Sequence, residues 1–124
     1  MAKSRATDPD VASRLPLTPA TFQILLALVD GERHGYAMMR EVAERSDSTV
    51  RLGPGTLYGS LKRLLDAGLV EEGAERTDPQ LDDERRRYYR ITRLGLAVAR
   101  AEARRMAALV RSARTKRLIG PEPA

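Results

Sequence analysis

The stretch from Arg51 to Glu72, RLGPGTLYGSLKRLLDAGLVEE, restricts the possible folds more than any other, because both ends of one amphipathic helix are written into it. Leu57, Leu61, Leu64 and Leu65 follow the i, i+4, i+7, i+8 spacing that lines one face of an α-helix. The spacing predicts a helix from Leu57 to Ala67. Gly53, Pro54 and Gly55 form a turn that feeds its start, and Gly68 stands where a left-handed C-terminal cap favours glycine. At about 100° per residue, the face opposite the leucines carries Gly59, Lys62, Arg63 and Asp66, flanked by Thr56, with Tyr58 and Ser60 at the margins. That face is polar, cationic and small near its start. Taken alone it suits either a solvated surface helix or the reading helix of a winged helix-turn-helix.

At 124 residues, 42% hydrophobic and 31% charged, the chain suits one domain with a modest core. It has no cysteine, so disulfides, thiolate metal sites and thiol nucleophiles are excluded. The longest apolar run, Ile24 to Val29, falls far short of the roughly 20 residues that span a bilayer, and Met1 to Pro16 lacks the apolar segment of a signal peptide. The expectation is a cytoplasmic protein with no membrane partner. The net charge of +5 is uneven: residues 1–84 hold 10 Lys or Arg against 15 Asp or Glu, whereas residues 85–124 hold 12 against 2. Such a basic C-terminal segment favours a polyanionic partner or an Arg-rich solvated helix.

Residues 1–16 show no periodicity and read as a mobile N-terminal tail. Thr18 is a good N-cap and Pro19 suits the first helical position, so Phe22, Leu25, Leu26 and Val29 predict a core helix from Pro19 to Val29. Tyr36, Met39, Val42 and Ala43 predict a second short helix after the Gly31-Glu32-Arg33 turn, and Ser46 to Val50 a polar connection. Gly68 to Glu72 and Tyr88 to Thr92 read as two strands of a hairpin whose long tip runs from Gly73 to Arg87. From Arg93 the chain is helical again until shortly before Gly120-Pro121. Within that helix Leu96, Ala99, Ala103, Met106, Val110 and Ala113 form a three-four repeat. A self-association seam and an amphipathic helix packed on its own domain fit it equally.

These motifs, in order, are His34-Gly35-Tyr36, Leu52-Gly53-Pro54-Gly55-Thr56-Leu57-Tyr58, Leu61-Lys62-Arg63-Leu64, Gly68-Leu69 and Arg87-Tyr88-Tyr89-Arg90-Ile91-Thr92. Together they resemble the PadR family of winged-helix transcriptional regulators over roughly Leu17 to Gly95, and the single C-terminal helix is similar to its short branch, whose members pair through that helix. The fold class expected is α+β, mainly α: a winged helix-turn-helix of three helices and a β-hairpin wing at 17–92, a dimerisation helix at 93–118 and a tail at 119–124. The resemblance implies a homodimeric repressor that binds double-stranded DNA at a palindromic operator and is often released by a small-molecule effector or a stress signal. Family members commonly carry proline after the tyrosine of the reading helix, where this chain has Gly59, and the tryptophan used for stacking flat drugs is absent.

On the residues, the expected DNA contacts are Thr56, Tyr58, Ser60, Lys62 and Arg63 on the reading helix and Arg85, Arg86 and Arg87 where the wing returns. The expected dimer interface is the Leu96, Ala99, Ala103, Met106, Val110, Ala113 seam. His34, the one histidine, lacks partners for zinc and reads as a hydrogen-bonded structural residue. Gly53-Pro54-Gly55 is not followed by the Lys-Ser/Thr of a nucleotide loop, and Asp82-Asp83-Glu84 lies in a polar tip that would raise no pKa. No enzyme, metal or cofactor is therefore expected. A non-enzymatic protein-interaction or nonspecific nucleic-acid-binding module, built on the Arg-rich helix, is the competing reading.

Overall fold

The computed structural model describes residues 8–45, 52–73 and 87–123. Its centre is α2, Pro19–Leu28, which follows a short α1, Pro9–Ala12. The Thr18 hydroxyl accepts the Thr21 N–H at 3.1 Å, and Pro19 takes a first-turn position where a missing N–H costs nothing. Ile24, Leu25, Ala27 and Leu28 are buried, so α2 is the core helix its sequence predicts. Each fully buried leucine or isoleucine contributes about 2 kcal/mol. Helices α3, Gly35–Arg45, and α4, Pro54–Asp66, pack on α2 and complete a three-helix core.

Helix α4 begins at Pro54, three residues before the expected Leu57, because Pro54 and Gly55 form the first helical turn rather than a loop ahead of it. Its end is a Schellman motif: the Leu69 N–H reaches the Leu64 carbonyl at 2.9 Å and the Gly68 N–H the Leu65 carbonyl at 3.1 Å, with Gly68 at φ +78°. This cap absorbs Gly68 and Leu69, so strand β2 is shorter than expected and covers Val70–Glu72. Strand β3 is Tyr88–Ile91, antiparallel to β2 with Val70 opposite Ile91 and Glu71 opposite Arg90.

A third strand, β1 at Arg33–His34, pairs with the other edge of β3, giving the order β1-β3-β2. The sequence pattern puts Arg33 in a turn and His34 at the entry of the second helix, because two residues are too few to show a strand period. Arg90 holds the base of this wing by donating to Glu71 at 2.9 Å across the β2–β3 pair and to Glu32 at 3.2 Å beyond β1. The tip at residues 74–86 and the connection at 46–51 lie outside the described residues.

Helix α5 runs unbroken from Arg93 to Thr115, three residues short of the expected Arg93–Leu118 span. It stops because Arg117 adopts φ +65° and the Leu118 N–H turns back to the Ala113 carbonyl at 2.8 Å, a second Schellman end. Its start is tied to the joint between α4 and β2. The Thr92 hydroxyl accepts the Gly95 N–H at 3.0 Å and donates to the Gly68 carbonyl at 2.7 Å, while the Thr92 N–H donates to the Leu69 carbonyl at 3.0 Å. Gly95 is buried there so closely that a Cβ would overlap the Leu69 carbonyl oxygen.

The expected mobile tail is corrected over residues 8–16. Asp8 caps α1, Val11 is buried and packs into the core, and the Leu17 N–H donates to the Glu102 carboxylate at 3.2 Å. A four-residue helix carries too little sequence to show periodicity, and its anchor, Val11, is a single side chain. Residues 1–7 lie outside the described residues.

Candidate nucleic-acid interface

The candidate surface is the side of α4 that the core leaves open. Leu57, Ser60, Leu61 and Leu64 are buried, and this fixes which way the helix is turned. Gly55, Thr56, Lys62, Arg63 and Asp66 are exposed, with Gly59 between them. Thr56, Lys62 and Arg63 thus lie on one accessible face, around two glycines that add no side chain. A Cβ at Gly55 would meet nothing within 4 Å, and one at Gly59 would meet only the Arg63 Nη1 at 3.8 Å. The centre of the face is bare backbone that another molecule can approach closely.

Two of the expected contacts belong elsewhere. Ser60 is 2% exposed and accepts from the Arg63 guanidinium, Nη2 to Oγ 3.2 Å, so it orients Arg63 from beneath the face. The Tyr58 hydroxyl is buried, pointing into the space above Gly35, where a Cβ would overlap it and lie 2.8 Å from Cζ. Tyr58 therefore sets the crossing of α3 and α4, and its hydroxyl is not presented to a ligand. Both residues sit at the margin of the face, where a rotation of one position decides between surface and core.

Lys62 makes an i,i+4 ion pair with Asp66 at 3.7 Å, and both side chains are more than two-thirds exposed. Such a pair is worth little and is screened by salt, so the ammonium is free to exchange partners. Gly53 precedes α4 without a side-chain cap, leaving its first turn open to an anion at the positive end of the helix. In the wing, Arg87 is exposed and 3.5 Å from Glu72, while Arg85 and Arg86 lie outside the described residues.

His34 has the structural role its sequence suggests. Its Nδ1 accepts the Ala37 N–H at 3.1 Å, capping α3, and its ring stands edge-on to Tyr88 with centroids 5.4 Å apart. Of the expected Tyr36-Met39-Val42-Ala43 set, Val42 is buried and Met39 packs partly buried against the core, while the other buried residues of α3 are Gly35 and Met38. Tyr36 is instead 54% exposed, with the Arg40 guanidinium 6.0 Å from its ring centroid.

The seam on α5 divides in two. Leu96 is half-buried and Ala99 buried in their own domain; Ala103 and Val110 are exposed, and Met106 and Ala113 intermediate. The inner half of the helix packs on its own core and the outer half projects from it. Leu109, absent from the expected set, is 58% exposed beside Met106 and Val110. Its place one residue outside the strict repeat hid it.

Glu102, also unforeseen, is 1% exposed on the core side of α5. Both its oxygens accept from Arg105, at 2.7 and 2.8 Å, and one accepts the Leu17 N–H. The hydrogen bonds from Arg105, helped by that from Leu17 and opposed by burial, hold its pKa below the ordinary glutamate value. It resembles any surface glutamate in sequence; only the tertiary fold pairs it with the chain before α2. No helix among the described residues is long and apolar enough to cross a membrane.

Comparison with known proteins agrees with this fold. Residues 24–101 match the model of the transcriptional regulator PadR-like family. An uncharacterised 37.1 kDa protein of a Streptomyces fradiae transposon is 37% identical over 90 residues, 73% of this chain. The chain spans about a quarter (24%) of that relative's length. Among solved structures, a transcriptional regulator from Clostridium thermocellum superposes with a TM-score of 0.66 at 22% identity, covering 92% of this chain and 100% of its own. A PadR family transcription regulator from Clostridium difficile gives 0.66 at 23% identity, covering 79% and 97%. At these identities the structural likeness concerns the fold.

Proposed function

The chain belongs to the PadR-like family of transcriptional regulators, and from that premise we propose that it acts as a homodimeric repressor reading a palindromic operator in double-stranded DNA. The observation that carries this reading is the open face of α4, where Thr56, Lys62 and Arg63 surround a bare Gly55–Gly59 centre. An α-helix fits the major groove, and a surface with cations at its rim and no bulk at its centre lets the helix sit deep. Arg63, oriented by Ser60, is suited to bidentate contact with guanine, and Lys62 to guanine or a flanking phosphate. Thr56, beside the uncapped start of the helix, is suited to phosphate. The wing, fixed by Arg90, carries Arg87 toward the backbone, and Arg85 and Arg86 immediately precede it in the sequence.

Dimerisation through the outer half of α5 would cover Met106, Leu109, Val110 and Ala113, and the expected Ala103 at its inner edge. Two copies would then address half-sites about 10 or 20 base pairs apart, centre to centre. Relief of repression by a small apolar effector is assigned to the same interface, where the exposed Ala103 leaves room and Met106 is an adaptable wall; Ala99, buried in its own domain, takes no part. The test is titration of the dimer against duplexes from its own promoter region and against scrambled DNA at one salt concentration. A tight, protected palindrome supports the reading; equal affinity for both duplexes refutes it.

A further inference from the structure

The arginines of α5 are not scattered. Arg93, Arg100, Arg104 and Arg111 stand at intervals of seven, four and seven, which at 3.6 residues per turn places all four within an arc of about 40°. They form a straight row roughly 27 Å long. All four are exposed, and among the described residues none has an ion-pair or hydrogen-bond partner for its side chain. The other two arginines of the helix are engaged: Arg105 with Glu102, and Arg114 with the Gly120 carbonyl at 3.0 Å. The one acidic residue of α5, Glu102, is buried on the opposite side. The row is therefore an uncompensated line of positive charge.

We propose that this row is a second docking surface, for the phosphate backbone of duplex DNA, separate from the reading face of α4 and indifferent to sequence. The complement must be an extended polyanion, because four guanidiniums in line over such a length match a row of regularly spaced charges rather than one compact ligand. Guanidinium also pairs with phosphate through two parallel N–H donors. A lipid surface fits less well, since the residues interleaved in the row are Ala97 and Ala107, with Ala108 and the half-buried Leu96 at its edges, and no exposed large apolar side chain stands there to enter a bilayer. The row points away from Met106, Leu109, Val110 and Ala113, so pairing through those residues leaves it accessible. The inference rests on the reading that this chain works on DNA, yet the two can fail separately.

The experiment uses the full chain and the variant Arg100→Gln/Arg104→Gln/Arg111→Gln, with thermal melting and circular dichroism as the check on folding. Each is titrated against a scrambled duplex across a salt series. Losing three phosphate contacts lowers the slope of log K against log salt by about 2.7. Between about 50 and 200 mM salt the wild type should thus lose on the order of forty-fold more affinity than the variant. The triple Arg→Lys variant should keep most of the slope. An unchanged slope in the glutamine variant, no wild-type binding to the scrambled duplex, or binding to anionic phosphatidylserine vesicles in place of DNA would each overturn the proposal. Loss of preference for a promoter duplex with the slope difference intact would instead remove the operator reading and leave this one standing.

Discussion

Replacing Gly95 by alanine should destabilise the protein although alanine is the better helix former. Inside a helix the exchange is worth about 1 kcal/mol in favour of alanine. At Gly95, however, the new methyl would overlap the Leu69 carbonyl oxygen and lie 2.8 Å from the Ile91 Cγ1 and 3.0 Å from the Leu69 carbonyl carbon. The obstacle is backbone, and that same carbonyl already accepts the Thr92 N–H. Pushing it aside strains the hydrogen bond that fastens α5, and overpacking of this kind costs about 1 to 3 kcal/mol, occasionally more. Subtracting the propensity gain leaves about 0 to 2 kcal/mol, and weakening the Thr92–Leu69 hydrogen bond adds about 1, for a net loss of about 1 to 3 kcal/mol. Gly59→Ala is the internal control, because its Cβ makes only an ordinary contact, 3.8 Å from the Arg63 Nη1, and should stabilise by about 0.5 to 1 kcal/mol. The two variants should therefore differ by about 2 to 4 kcal/mol, or roughly 1 to 2 M in urea midpoint for a slope near 2 kcal/mol/M. Urea unfolding at one fixed protein concentration keeps any dimerisation constant. A Gly95→Ala protein as stable as the wild type would refute the reasoning, since nothing but the close approach argues against alanine there.

Arg63→Ala should cost about 1 to 3 kcal/mol on the preferred operator and narrow its margin over scrambled DNA, whereas equal losses on both duplexes in a binding titration would rule out base reading by this residue. Met106→Asp or Val110→Glu should yield monomers in light scattering; a dimer that survives both substitutions would place the interface elsewhere. Glu102→Gln should cost about 1 to 3 kcal/mol near neutral pH through the weakened Arg105 and Leu17 hydrogen bonds. The folded pKa of Glu102 lies below its unfolded value, so its contribution is full above the unfolded value, about 4.3, and fades as pH falls toward the folded one. Wild type and variant should accordingly converge in melting experiments under acid conditions, and a constant gap down to low pH would contradict the assignment. Arg117→Gly should stabilise by about 1 kcal/mol in urea unfolding, because a left-handed arginine at the end of α5 gives way to the residue that adopts φ +65° freely.

The sequence was most legible where local chemistry and tertiary packing demand the same thing. Thr18-Pro19 and Gly68 mark helix ends by steric rules that hold in any surroundings, and the structure uses both as expected. The leucines of α4 identify its buried side for the same reason. Legibility fails at the edges of that pattern. Tyr58 and Ser60 lie where a wheel drawn at about 100° per residue cannot separate core from surface, and the decision came from Gly35 on another helix. The short β1, the arm held by Val11 and the pairing of Glu102 with Leu17 depend on partners far away in the chain, to which no spacing rule points.

The continuity of α5 makes it a lever. No proline, glycine or irregular turn interrupts it between the buried Gly95 and its end at Thr115, so the projecting half cannot swing on its own. A tilt of about 10° pivoting near Glu102 would carry the Thr115 end through roughly 3 Å, and it would turn the inner end by the same angle. That inner end is bolted through Thr92 to the Gly68 and Leu69 carbonyls, which close the C-terminus of α4. Whatever grips the far end of α5 thereby has a mechanical hold on the pitch of α4.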